Sequence, residues 1–548
     1  MYASIGIEKI ILYSLFLASV ILVPNSIDPI TVPRLVVIAI FGFISLFILI
    51  NNLDKKIIRK RKMVIFAGLI FIIWSIFAWL FSGINLLEGF YGVNGRHTGL
   101  LAYISIVSIF LLTTIVSAEL FIIRIIKTLL ICGLLASAYG SIQYLNLDPI
   151  DWDNGPYNRI IGFLGNPNFQ SAFLGLTAIA SFAMLFYKGS QYRLVKFISI
   201  LYFFLTCFLI IKTQSEQGIF ITLLGVFVVL YLWLRVHPVF SNLKLLLKLF
   251  FVLLAFLAWA DIFQKGFWNS YFYTNSISYR GDFWRAGLLM IRDNPVFGVG
   301  LDGYRDHYRS SRDIIAGNRD IAKDMVDSAH NVFIDIASGG GLVLFLAYSV
   351  IVYLTLNASF KLIKRSVSFN PFQASLIGCW LAYTLQSIIS INHLTLALWG
   401  WVLSGSIIGL EINSRGPETK GEIALKVGPL EVISIFIGSV IGIGVSVPQL
   451  TKDINFRLAI ESGRIVEINK VVESWPRDVN DFRFTSLLYR QGGFNKEALI
   501  IAQKGAAFHT SNFEILREVY LNPSLSNEDK LVVYKKLLHL DPYRSALE

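Results

Sequence analysis

Charge is what this sequence has least of. Of its 548 residues only 15% are Asp, Glu, Lys or Arg, while 55% are hydrophobic and the mean hydropathy is +0.63. Soluble chains carry about 25% charged residues, so a water-soluble globular protein is excluded for most of this length. Cysteine is nearly absent. Cys132, Cys207 and Cys379 all lie inside apolar runs, which excludes a disulfide framework on outer loops and a thiolate metal site. No small-residue cleavage site follows the first apolar run, from about Ile10 to Val23, so that run is expected to stay as a span rather than leave as a signal peptide. The formal net charge is +12, yet the basic residues form no stripe with interleaved aromatics, and nucleic acid is not an expected partner. Mid-span charge and repeated halves are also scarce, which argues against a transporter.

What is present is a series of apolar runs. A bilayer-spanning helix needs about 20 mostly apolar residues. Runs that meet or approach this are 7–23, 35–50, 63–82, 98–117, 122–142, 170–187, 194–211, 217–234, 244–262, 331–356, 372–390, 394–410 and 429–447. The expected fold is all-α, a polytopic membrane protein of about 12–13 transmembrane helices. Lysines and arginines fall in alternate loops: Lys55, Lys56, Arg59, Lys60, Arg61 and Lys62; then Lys188, Arg193 and Lys196; then Arg235, Lys244 and Lys248; then Lys361, Lys364 and Arg365. The positive-inside rule then puts the N-terminus in the cytoplasm and the long loop 263–330 outside. With thirteen spans the tail lies outside as well. Residues 1–447 are thus expected to form the membrane domain and 448–548 a soluble helical domain. Two units in that tail, Leu487 to Ala498 and Tyr520 to Pro542, have a spacing that resembles tetratricopeptide repeats, which bind peptides. A plain helical cap fits the same pattern.

Polar candidates crowd the outer side. His330, in Asp327-Ser328-Ala329-His330-Asn331, directly precedes a span. A helix start favours an anion and disfavours imidazolium, so His330 is either a neutral base with Asp327 beside it or a structural cap. The segment Ser278 to Ala286 continues to Asp293-Asn294-Pro295, with Arg280, Trp284, Leu288 and Ile291 on one face at helical spacing. This predicts an amphipathic helix at the outer interface, whose Arg280 and Arg285 either snorkel or grip a diphosphate. Arg159 leads to Gly165-Asn166-Pro167-Asn168, a turn whose Asn166 and Asn168 can present amides to sugar hydroxyls. Gly95-Arg96-His97-Thr98-Gly99 adds another outer cation. Asp151-Trp152-Asp153 has the Asp-x-Asp pattern of metal-dependent sugar transferases, but three residues carry little information, and no metal is expected.

Together these segments resemble the O-antigen ligase superfamily, which includes O-antigen polymerases and protein O-oligosaccharyltransferases. The resemblance is carried by Tyr279 to Ala286, by Asn294 to Gly300, and by Ser328 to Phe333 with Gly339-Gly340-Gly341-Leu342. It implies a GT-C-type fold in the bacterial inner membrane. It further implies a cofactor-free, metal-independent inverting transfer of a glycan from an undecaprenyl diphosphate carrier at the periplasmic face. In that reading His330 activates the acceptor hydroxyl and Arg280 binds the diphosphate. Arg96, Arg159, Asn166, Asn168, Trp284, Arg285 and Asn331 would line the substrate. The acceptor is a lipid, a glycan or a protein, and the tail offers a site for a protein partner. The rival of another class is a lipid-linked oligosaccharide transporter.

Overall fold

The computed structural model describes residues 6–150, 152, 160–237, 275–318, 325–415 and 428–543. Among the described residues every regular element is helical. The membrane part contains α1 (Glu8–Val20), α2 (Thr31–Asn52), α3 (Lys55–Phe81), the short α4 (Leu86–Tyr91), α5 (Leu100–Val116), α6 (Glu119–Tyr144), α7 (Pro167–Met184), α8 (Arg193–Lys212) and α9 (Glu216–Arg235). After the loop come α10 (Asn275–Asp293), α11 (Tyr304–Ser311), α12 (Ile314–Gly317), α13 (Val332–Arg365), α14 (Pro371–Gln386), α15 (Leu394–Asn413) and α16 (Pro429–Ser462). The tail continues as α17 (Ile465–Val472), α18 (Val479–Gln491), α19 (Asn495–Phe508), α20 (Phe513–Tyr520) and α21 (Asn527–Leu540).

Eight of these helices are long and apolar enough to cross a membrane: α2, α3, α6, α8, α9, α13, α15 and α16. The chain is a polytopic all-α membrane protein. The runs expected at 7–23, 98–117, 170–187 and 372–390 are helices of 13, 17, 18 and 16 residues, short for a perpendicular crossing. The run at 244–262 lies outside the described residues. Helix starts follow local chemistry. Asn166 and Asn370 each accept a backbone N–H in the first turn, and each is followed by proline at the first helical position.

Small residues set the closest helix packing. A Cβ on Gly438 or Gly442 of α16 would stand 2.6 Å from the backbone of Ile44 or Ile40 on α2. These two glycines, four apart, let the two backbones touch. The helix α16 runs unbroken for 34 residues, through the boundary expected at 447/448, before Gly463 ends it in the left-handed conformation. Its far end joins a separate apolar core with Ile468, Val472, Phe482, Ile501 and Ile515. In the tail, α18, α19, α20 and α21 each pack on their sequence neighbour.

The element that shapes the region around the candidate residues is a break in α13. Gly341 has φ +75°, so the helix stops there and restarts. The Asn294–Gly300 segment fills the gap. Val299 N donates to Ser338 O at 2.8 Å, Gly300 N to Gly339 O at 3.1 Å, and Leu342 N to Pro295 O at 2.9 Å. Trp74 on α3 donates its indole N–H to Val296 O and Gly340 O, both at 3.1 Å. Carbonyls freed by the break thus find donors from protein, as broken backbone at membrane depth requires.

Candidate active site

A small apolar cluster between α10 and α11 supports the candidate residues. Phe283, Ala286 and Met290 of α10 pack on Tyr304 and Tyr308 of α11 and on Ala329. The amphipathic helix expected over this segment is therefore present, and its buried stripe is 283, 286 and 290. Of the stripe 280, 284, 288 and 291 only Leu288 is exposed, while Arg280, Trp284 and Ile291 are half-buried and Trp284 packs on the edge of the same cluster.

His330 stands between this cluster and the start of α13. Its φ is +52°, a left-handed conformation that histidine tolerates better than most side chains. The half-buried ring stacks on Phe283, with centroids 5.4 Å apart and planes at 27°. The backbone amides at this helix start are already engaged. Val332 N donates to Ser387 O at 2.8 Å, while Phe333 N and Ile334 N donate to the Asn331 side chain at 3.0 and 3.2 Å. Asn331 is the cap, and the helix terminus offers no open amide for an anion. A diphosphate here depends on side-chain cations.

Two guanidinium groups act on His330. Burial chiefly, then the charges of Arg280 and Arg96, pull its pKa down to about 4 against the opposing pull of Asp327. The imidazole is neutral at pH 7. Arg96 is buried and committed. Its Nη1 donates to Asp327 Oδ1 at 3.1 Å, its Nη2 lies 4.0 Å from Asp335 Oδ2, and these carboxylates with Asp302 keep it charged despite burial. Asp327, expected to orient His330, is instead the partner of Arg96. Arg280 is different: burial lowers its pKa, Glu216 at the start of α9 opposes this, and it has no ion-pair partner among the described residues. Arg280 is the cation with charge to spare.

The other candidates divide. Arg285 pairs with Asp282 and, at 3.2 Å, with Asp313. Trp284 is half-buried, and its buried indole N–H has no hydrogen-bond partner among the described residues. Asn166 caps α7, while Asn168 accepts from Ser215 at 2.7 Å, which ties this turn to the loop before Glu216. Arg159, Asp151 and Asp153 lie outside the described residues. Asp302 and Asp335 were not among the residues singled out by sequence. Asp302, at φ +62°, accepts from Val93 N at 3.1 Å and Thr98 N at 2.9 Å and so shapes the Arg96 loop. Asp335 accepts from Ala329 N at 2.7 Å, fixing the residue before His330. The signal for Asp335 was a carboxylate inside the first turn of an apolar helix.

Among the described residues one group has ligand atoms close enough for a metal ion: Glu88, Asp306 and His509. It lies where the tail meets α4 and α11, and Arg305 already bonds Glu88. A small cleft lined by Glu88, Tyr91, Gln449, Asp478 and Phe508 opens beside it, apart from His330.

Residues 201–349 match the family model described as O-antigen ligase. The chain carries an O-antigen ligase domain. The matched stretch runs from α8 past the break in α13, so it contains Arg280, Trp284, Arg285, His330 and Asn331, while Arg96, Asn166 and Asn168 precede it. No curated protein matches the chain. An O-antigen ligase domain in a multi-pass membrane protein supports glycosyl transfer in lipopolysaccharide biosynthesis.

Proposed function

We propose that this protein transfers a glycan from a polyprenyl (undecaprenyl) diphosphate carrier to a hydroxyl of a lipid, glycan or protein acceptor at the outer face of the bacterial inner membrane. The observation that carries the reading is a neutral imidazole close to a guanidinium that has no ion-pair partner among the described residues. His330 accepts the acceptor proton as its oxygen bonds the anomeric carbon. The bond from that carbon to the diphosphate oxygen breaks, and the leaving diphosphate is held by Arg280, whose planar fork suits it. One displacement inverts the anomeric carbon. The reaction so written uses no metal. The C-terminal helices, with their tetratricopeptide-like spacing, offer a surface to a protein partner.

The test uses purified protein with lipid-linked donor. His330→Ala should lower turnover by about 10²–10⁴-fold with donor binding unchanged. Arg280→Ala should weaken donor binding as well as turnover, and Arg280→Lys should restore only part. Excess EDTA should leave the rate intact. An active His330→Ala protein that merely accumulates poorly would end the catalytic reading.

A further inference from the structure

Two sets of buried charge join the C-terminal helices to α11. In the first, Arg305 of α11 bonds Glu88 of α4, and His509 Nε2 lies 3.1 Å from Glu88 Oε2 and 3.0 Å from Asp306 Oδ2. Asn512 donates to Asp306 at 2.9 Å. Burial works against a charged His509, but Asp306 and Glu88 overcome it and push its pKa up to about 10. With His509 protonated, two cations face two carboxylates and the group is neutral without any further ion. In the second set, Arg312 donates to both oxygens of Asp541, at 2.7 and 2.9 Å. Arg309 reaches Glu514 at 2.9 Å and lies over the Phe513 ring at 4.4 Å. Arg305, Arg309, Arg312 and Asp541 are all buried. Removing one member of such a pair strands an uncompensated charge, so these contacts are costly to break.

The other face of α11 leads to the site. Tyr304 donates its hydroxyl to Phe283 O at 2.6 Å, and the Phe283 ring meets Tyr308 edge-on at 5.7 Å. Phe283 is the ring on which His330 stacks. Among the described residues no hydrogen bond holds the imidazole itself, so this stack is what fixes its plane.

We propose that the C-terminal helices are a positioning part of the active site: by gripping α11 they hold Tyr304 and Phe283, and through them the ring of His330. Asp541, His509 and Tyr304 are then positioning residues, and the inference rests on His330 being the reacting base. Misplacement of a reacting group by about 1 Å costs on the order of 10²-fold, so a loosened stack should be visible in the rate.

The test uses full-length protein carrying Asp541→Asn, His509→Gln or Tyr304→Phe, and the reciprocal pair Arg312→Asp with Asp541→Arg. Tyr304→Phe is the mildest, since it deletes one hydroxyl and leaves the tail interface untouched. Amide hydrogen exchange over residues 300–308 and 328–334 should rise in each single variant. Turnover should fall about tenfold or more with donor affinity within about twofold of the parent, and the reciprocal pair should recover part of the rate. Faster exchange in the tail with unchanged exchange at 328–334, or with parental turnover, would overturn the proposal. So would equal losses of turnover and donor affinity. If the parent protein itself transfers no glycan, the proposed function falls, and the exchange data alone still decide whether the tail holds the His330 loop.

Discussion

A base with a pKa of about 4 is poorly matched to neutral pH, and the residues around His330 say why it is low. After burial, the largest depressing influence is Arg280, the group assigned to the diphosphate. Seating the donor brings anionic oxygens to Arg280 and offsets that charge, so His330 becomes more basic when the donor is bound. The sign is that of a depressed histidine: the neutral form persists down to about pH 4, and activity is lost as pH falls through that value rather than through 6.5. The acid limb of kcat/KM should therefore lie near pH 4, and that of kcat higher. Arg280→Gln should move the free-enzyme limb upward; a limb at 6.5 in both profiles, unmoved by that change, would contradict this reading. The positions of His330 before a helix start and of Arg280 on an amphipathic helix were legible from the apolar runs beside them, and the roles given to them are proposals. Asp302 and Tyr304 were not, because their roles arise from contacts with Thr98 and Phe283, which no local pattern encodes.

At the scale of the element, the Gly339–Gly341 run was visible as a motif, but its purpose was not. Periodicity reads α13 as one apolar helix, and only the left-handed Gly341 shows that it is two pieces bridged by Asn294–Gly300. A Cβ on Gly341 would stand 2.0 Å from Val296 O. Gly341→Ala should therefore destabilise the protein by about 1–3 kcal/mol, from backbone strain and the lost fit. Gly444 of α16 has open space around its would-be Cβ, so Gly444→Ala should be neutral or slightly stabilising. Thermal unfolding of the two purified variants in one detergent checks this, and equal midpoints would show that the break bears no strain. The amphipathic α10 was legible as a helix, but its buried stripe was not. Phe283, Ala286 and Met290 are chosen by what α11 presents to them.

For the whole molecule, hydropathy located the eight long apolar helices because a bilayer sets a minimum length and an apolar composition for a crossing helix. The joining of tail to membrane part left no such trace, since ion pairs between distant segments have no periodicity. Sidedness is open to direct measurement. Cysteines replacing Asp293 and Ile500 should both react with a membrane-impermeant maleimide in spheroplasts, and one replacing Lys60 should not. Labelling at 60 alone would invert the topology and remove the outer-face site. The tail contacts also bear on synthesis. Asn85 meets Phe508 across 423 residues of chain, and Asp28 meets Asp453 across 425. Arg309 and Arg312 leave the ribosome long before their tail partners Glu514 and Asp541. Until residues 514–541 follow, the newborn chain holds two arginines with nothing to answer them. A stop codon just before Asp541 should thus be as damaging as one in the middle of the membrane part.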